Sequence, residues 1–423
     1  MTTNEAPTSA SRRRVLCVIG AASLAPLAAR AQPADVNGIP VTGRALPGME
    51  PLDESVTSIM RAHAIPGASI AIARDGKLKL ARGYGYADLA QRQPMRPETR
   101  VALASVSKVL TGQTILKLVG EGKLRLSDRA FGFFPDMRPP EGMREDPRLA
   151  EITIQMLLHH TGGWDRKAEG DPSGWGPRID RALRLNQPPT PFEMIRYMKG
   201  VPLDFAPGTR QVYSNFGFVL LGGVIAKVTG QAYADYVQQN TLRAMGATSV
   251  KLDDVSPRYL PGEAKRYVLG GEREVPGGNS RMMMASGGWQ ATSVDMMRIM
   301  TAIDGSRTGT PFLPPAMIEA MLEPAPGIAG PSPDHWMGLA WDMVQAFPGP
   351  GGKRYSYGKD GGLPGVQTYV EHLAIGANYA LLINSAPPEG GGQPGGLKLI
   401  QPKLVEFIRQ APVPEGDLFG AFA

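Results

Sequence analysis

Residues 105–119 read Ser-Val-Ser-Lys-Val-Leu-Thr-Gly-Gln-Thr-Ile-Leu-Lys-Leu-Val, and this stretch decides the fold. It is apolar on nearly every side of a 3.6-residue period, so a helix formed from it belongs in the interior. Ser105 and Lys108 stand three positions apart and share one face. A hydroxyl at a helix start gains from the partial positive charge there, which favours developing anionic character. A lysine one turn on can take the serine proton once its own is displaced. That requires lowering a reference pKa of about 10.4 by burial and positive neighbours. Ser-x-x-Lys alone is a weak motif, and Ser356-Tyr357-Gly358-Lys359 also fits it. That second match lies in a glycine-flanked, strand-like stretch, where positions i and i+3 point to opposite faces.

Upstream, Val56, Ile59, Met60 and His63 fall at helical spacing within 54–63. Residues 68–73 alternate and run into Arg74-Asp75-Gly76-Lys77, a tight-turn signal, before 78–83 returns as the second strand of a hairpin. Downstream, helices are expected at 152–160, 191–199, 216–228 and 232–245, with connections rich in Pro, Gly and Trp. Residues 282–289 resemble a return toward a sheet, and Ser293-Val294-Asp295 opens a capped helix. Residues 379–383 read as a buried strand and 396–409 as an amphipathic helix. Strands at both ends with helices between them indicate an α+β fold, a mainly antiparallel sheet flanked by helices with a large helical insertion. The expected division is an export signal at 1–31, a loose linker at 32–48, and a sheet region at 49–104 and 287–412. A mainly helical region occupies 105–286, and a tail 413–423.

Two more groups carry chemistry. Tyr213-Ser214-Asn215 heads a helix, and a phenol near two ammonium groups can act as a base or relay a proton to a leaving group. The alternative for Tyr213 is a core ring with a satisfied hydroxyl. In Lys359-Asp360-Gly361-Gly362, a lysine on an edge strand would point into a cleft, and the glycines would let a substrate approach the backbone. In this order the elements resemble the serine β-lactamase and penicillin-binding-protein superfamily, from about Leu52 to Arg409. Leu157-Leu158-His159-His160-Thr161-Gly162-Gly163, the run from Tyr213 to Gly222, and Gly287-Gly288-Trp289-Gln290-Ala291-Thr292 strengthen the match. They look like the branch holding class C β-lactamases, D-alanyl-D-alanine carboxypeptidases and family VIII esterases.

The resemblance implies a β-lactamase/transpeptidase-like fold with Ser105 as the acylated nucleophile. Lys108 and Tyr213 would share general-base and general-acid work, and Asn215 would bond to Lys108 or to the substrate's acyl part. Lys359, Gly361 and Gly362 would bind substrate, with Lys359 keeping the site positive. The N–H groups of Ser105 and Gly362 would form an oxyanion hole, worth roughly 3 kcal/mol per donor in other enzymes. No cofactor and no metal are implied. The chain departs from the pattern at Asp360, where the β-lactam binders it resembles carry Thr or Ser. An ionised carboxylate there repels the carboxylate that penicillins and D-alanine peptides share, unless Lys359 and Asp360 mute each other by pairing. The implied activity is therefore that of a carboxylesterase acting on a small ester or amide. The alternatives are a β-lactamase or D-alanyl-D-alanine carboxypeptidase and, from another class, a catalytically silent binder of cell-wall fragments.

Composition sets the remaining bounds. The chain has 423 residues, 42% hydrophobic and 20% charged, so wholesale disorder is excluded. Ser11-Arg12-Arg13-Arg14-Val15-Leu16, an apolar run to Ala28 and the small-x-small Ala29-Arg30-Ala31 resemble a twin-arginine export signal; an ordinary secretory leader is the alternative. Either reading expects a periplasmic or secreted protein with no stable membrane span after cleavage. Cleavage after Ala31 removes four of the 45 basic residues and one of the 39 acidic ones, lowering the net charge from +6 to +3. So small a charge, with no basic cluster, argues against a nucleic-acid partner. The single Cys17 falls in the leader, leaving no disulfide and no thiol nucleophile. His159 and His160, adjacent at the end of a helix, read as structural. No Gly-x-Ser-x-Gly elbow, phosphate loop or dinucleotide fingerprint occurs.

Overall fold

The computed structural model describes residues 33–253, 256–278, 281–388 and 394–422. The expected export signal and Cys17 lie outside them. The hairpin forms as β-branched and small residues around Asp75-Gly76 predict. Both turn residues have positive φ, 51° and 72°, so the strands Gly67–Arg74 (β3) and Lys77–Asp88 (β4) meet through a twist-matched turn. The main path of this antiparallel sheet is completed by Ala34–Val36 (β1), Ile39–Ala45 (β2), His335–Trp336 (β5), Met343–Gly349 (β6), Gly352–Leu363 (β7), Val366–Leu373 (β8) and Ala377–Ile383 (β9), and a tenth, two-residue strand, Gln93–Pro94, pairs with β4 off that path. The strand order is β1-β2-β4-β3-β9-β8-β7-β6-β5. The join between the two halves of the chain is β3 against β9, in register from Ala68↔Ile383 to Arg74↔Ala377.

Strand β3 is buried along almost its whole length, because both sheet faces are covered. Helices Pro51–Ala62 (α1) and Gly396–Gln410 (α6) cover one face with Leu52, Val56, Met60, Ile400 and Leu404. Helix Ser293–Ile303 (α5) lies on the other, with Ser69 and Ser293 hydroxyls bonded at 2.8 Å. Beyond α5 comes the helical part of the molecule. There Ser107–Gly120 (α2) is buried nearly all round, as its apolar pattern requires, against Asn215–Thr229 (α4). Pro191–Met198 (α3) carries a full capping box between Thr190 and Glu193. Among the described residues no single helix is long and apolar enough to cross a membrane.

Two expectations need correction. The described part of the linker expected at 32–48, residues 33–48, is not loose: β1 and β2 form a hairpin, and β2 extends the sheet by pairing with β4 from Val41↔Tyr84 to Ala45↔Leu80. Its turn is Asn37-Gly38, again with both φ positive, and an Asn-Gly pair is the strongest short-range hairpin signal. The described part of the expected tail, 413–422, is not free either. Lys79 donates to the carbonyls of Pro414 and Gly416 at 2.8 Å, and Leu78 N–H donates to Asp417 at 3.0 Å, which clamps the segment along β4.

Candidate active site

The turn before α2 is held from two sides. Leu103 N–H donates to Trp289 O at 2.7 Å, and Trp289 N–H donates to Ser107 Oγ at 3.1 Å. From the main sheet, Thr368 Oγ1 donates to Leu103 O at 2.8 Å. Between these supports Ala104 takes φ 49°, a left-handed conformation that costs a non-glycine residue on the order of 1–3 kcal/mol. The next residue is Ser105, in a single 3₁₀ turn leading into α2. No sequence motif signals the strain at Ala104; it comes from the bracing that aims Ser105 at the helix N-terminus.

Around Ser105 Oγ the structure brings together the residues that the motifs name. Lys108 Nζ lies at 3.3 Å and Tyr213 OH donates at 2.7 Å. Lys108 has 0% exposure, and its nitrogen also reaches Asn215 Oδ1 at 2.7 Å and Ser286 O at 2.6 Å. Burial drives the Lys108 pKa well below the usual lysine value, helped by the Lys359 ammonium and Arg166, while Asp342 and Asp171 pull the other way. A neutral amine has two N–H donors and one lone pair. Two of its three neighbours are carbonyl oxygens that can only accept, so the lone pair is left for the Ser105 hydroxyl. Asn215 is oriented in turn by Asp171, whose carboxylate accepts from Nδ2 at 2.7 Å.

Tyr213 precedes α4 and stacks on His160, with ring centroids 4.5 Å apart and an interplanar angle of 27°. Burial raises its pKa to about 12, although Lys359 pulls it down, so the phenol keeps its proton at neutral pH. The nitrogens of Lys108 and Lys359 lie 4.9 and 5.2 Å from the ring centroid, and the Arg166 guanidinium carbon 4.9 Å. His160 Nδ1 accepts from the Ser214 N–H at 3.1 Å, and burial next to Lys108 and Lys359 pushes its pKa well down, leaving a neutral ring that supports Tyr213.

Strand β7 forms the opposite wall. Its ladder with β6 stops at Met343↔Gly358, so from Lys359 onward it is free on that side while still paired with β8. It is therefore an edge only where the site lies. Gly361 presses against the Ser105 turn: a Cβ there would sit 2.4 Å from Leu103 O and 3.2 Å from Ser105 N, whereas Gly362 faces open space. Lys359 is 1% exposed and does not make the site positive by itself. Its ammonium contacts the Asp342 carboxylate and lies 3.4 Å from Asp360 Oδ1. Burial works against the charge on Lys359, yet Asp342 with Tyr213 and Asp360 outweighs it and holds its pKa above the usual value. Asp171, Asp342, Arg166 and the Ser286 carbonyl are functional neighbours that sequence motifs do not mark. Arg166 also borders a cavity of about 200 Å³, lined further by Trp164, Trp175, Leu203 and Met198. Among the described residues no three His, Cys, Asp or Glu side chains gather as a metal site would require.

Comparison with known proteins follows the same lines. A family model described as Beta-lactamase matches residues 52–393. Protein flp of Staphylococcus aureus (strain N315) is 32% identical over 197 residues, covering 47% of this chain and 37% of that protein. The chain thus spans about two fifths of the length of the curated relatives it first matches. Esterase EstB of Burkholderia gladioli is 28% identical over 366 residues, covering 79% of this chain and 90% of the esterase. The solved structure of D-amino acid amidase from Ochrobactrum anthropi SV3 superposes with a TM-score of 0.65 at 20% identity, over 85% of this chain and 99% of the amidase. At that identity the likeness is one of fold.

Proposed function

The chain belongs to the beta-lactamase family of serine hydrolases, and from that premise we propose that it is a carboxylesterase working through an acyl-enzyme on Ser105. The observation that carries this is the hydroxyl of Ser105 set 3.3 Å from a fully buried amine, whose pKa burial pushes well below the usual lysine value, and 2.7 Å from a phenol that keeps its proton. In the proposed reaction Lys108 takes the Ser105 proton as Oγ bonds to the ester carbonyl carbon. The N–H groups of Ser105 and Gly362 receive the negative charge on the carbonyl oxygen. As the C–O bond to the alcohol breaks, Tyr213 gives its proton to the departing oxygen and is reprotonated from Lys108. Water then attacks the acyl carbon in the reverse sense, delivering a proton through the same pair and releasing the acid and free Ser105.

Two observations favour an ester over a β-lactam or a D-alanine peptide. Asp360 stands beside Lys359 with its side chain 64% exposed. Lys359 outweighs the cost of partial burial and keeps the Asp360 carboxyl below its usual pKa, so it is ionised at neutral pH. EstB, an esterase by name, aligns along 90% of its length. We further propose, from the leader expected at 1–31 alone, that the reaction takes place in the periplasm or outside the cell; fractionation of cells expressing the full chain tests this directly.

The deciding experiment compares wild type with Ser105→Ala on a short p-nitrophenyl ester and on labelled penicillin. Loss of ester hydrolysis in a variant with an unchanged melting temperature supports the proposal. Retained activity refutes it, and turnover of penicillin at a rate matching the ester favours the β-lactamase or carboxypeptidase reading. Failure of a fluorophosphonate probe to label wild type points to the catalytically silent binder.

A further inference from the structure

The β6–β7 ladder ends one pair short of Asp342 and Lys359, which leaves these two residues opposite each other where the sheet opens into the site. Asp342 reaches the Lys359 ammonium, which also lies 3.4 Å from Asp360 Oδ1. One buried cation is thus enclosed by two acidic groups, and when both are ionised the trio carries a net charge of −1. A substrate carboxylate approaching Lys359 finds no free ammonium and two like charges nearby.

We propose that Asp342 is a specificity-determining residue: by occupying the Lys359 ammonium it bars esters with a carboxylate near the scissile bond and admits neutral or cationic ones. This deepens the esterase reading and rests on it. Asp360 alone does not account for the exclusion, because its side chain is mostly in solvent, where a like charge is screened. Asp342 is the inner partner, with 24% side-chain exposure. The charged and titratable groups facing the pair are Lys359 and Asp360 on β7, Tyr369 on β8, Tyr213 before α4, and Lys108 in α2. Of these, Lys108 and Tyr213 act on every substrate alike, so they cancel in a ratio between two esters. Desolvation raises the Asp342 pKa to about 6 in spite of Lys359. Below that pH Asp342 carries a proton, the trio becomes neutral, and the bar against anions weakens.

The test uses full-length mature enzyme and four matched esters: phenyl acetate, 3-acetoxybenzoate, 4-acetoxybenzoate and 3-(trimethylammonio)phenyl acetate. Wild type is expected to prefer the neutral and cationic esters over both benzoates. Asp342→Asn should raise the benzoate-to-phenyl-acetate ratio of kcat/KM about tenfold or more, and the wild-type ratio should rise as pH falls from 7.5 to 5 while that of the variant stays flat. A ratio unchanged by the substitution and by pH overturns the proposal. Asp342→Glu, which keeps the charge, guards against a folding defect: it should retain the wild-type preference. If phenyl acetate is not turned over although a fluorophosphonate labels Ser105, the esterase reading fails by itself. The charge filter is then read from protection of that labelling by phenylboronic acid against 3-carboxyphenylboronic acid. Equal protection by the two overturns the filter, and stronger protection by the carboxylate in Asp342→Asn than in wild type supports it.

Discussion

Removing one oxygen atom from Tyr213 should nearly stop turnover while leaving the protein folded. In Tyr213→Phe the ring keeps its stack on His160 at 4.5 Å and its place near the nitrogens of Lys108 and Lys359, because those contacts involve the π face and not the hydroxyl. What disappears is the 2.7 Å donation to Ser105 Oγ. A single such bond contributes about 1 kcal/mol to stability, and Ser105 retains Lys108, so the melting temperature should fall by no more than about 2 °C in a chain of this size. A positioned general acid contributes 10²- to 10⁴-fold in rate, which at 1.36 kcal/mol per decade is about 3–5 kcal/mol of barrier. The loss should depend on the leaving group. An alkyl ester, whose alkoxide needs a proton, should lose more than the p-nitrophenyl ester, whose phenolate leaves without one. The assay is kcat and KM for both esters beside a thermal melt. A large rise in KM with unchanged kcat, or an equal small loss on both esters, would show that Tyr213 only positions substrate and refute the proton-transfer role.

Other substitutions probe the same network. Lys359→Met removes the cation that helps burial hold the Lys108 pKa down, so the acid limb of the kcat/KM profile, where Lys108 must be neutral to act, should move to higher pH. Asp171→Ala frees the Asn215 amide and removes a carboxylate that raises the Lys108 pKa. Turnover should drop about tenfold, the worth of one well-made hydrogen bond, and the acid limb should shift to lower pH. Gly361→Ala must displace Leu103 O from a 2.4 Å clash and should lower both stability and turnover, while Gly362→Ala, facing open space, should fold normally. The Asp146 carboxyl, held at a pKa of about 2 chiefly by Arg148, stabilises the fold above its unfolded value of 3.8 and loses that contribution as pH falls through 2. Urea midpoints should therefore decline more steeply between pH 4 and 2 in wild type than in Asp146→Asn.

Local chemistry explains what the letters disclose and what they hide. The Asp75-Gly76 turn, the all-round apolar helix after Ser105 and the three-residue spacing to Lys108 are legible because each depends on neighbours within a few positions. Dismissing Ser356–Lys359 as a dyad works for the same reason, since strand period places those two side chains on opposite faces within β7. The β1–β2 hairpin at the sheet edge is equally open to reading from Asn37-Gly38, but its glycine and proline content masks it. What stays hidden is long-range. Lys359 meets Asp342 seventeen residues away, Asn215 meets Asp171 forty-four residues away, and β3 pairs with β9 across most of the chain. No spacing rule in one sequence specifies these contacts, and they determine the charge at Lys359, which the motif alone reads as free.

The central claim is that a carbonyl becomes covalently attached to Ser105 Oγ during catalysis. Rapid acid quench of the wild-type enzyme with a slowly deacylating ester, followed by peptide mass spectrometry, observes that bond directly. The account predicts an added acyl mass on the peptide holding Ser105 that appears within one turnover and is absent from Ser105→Ala. Full esterase turnover with no adduct, or an adduct on another residue that persists in Ser105→Ala, would contradict it.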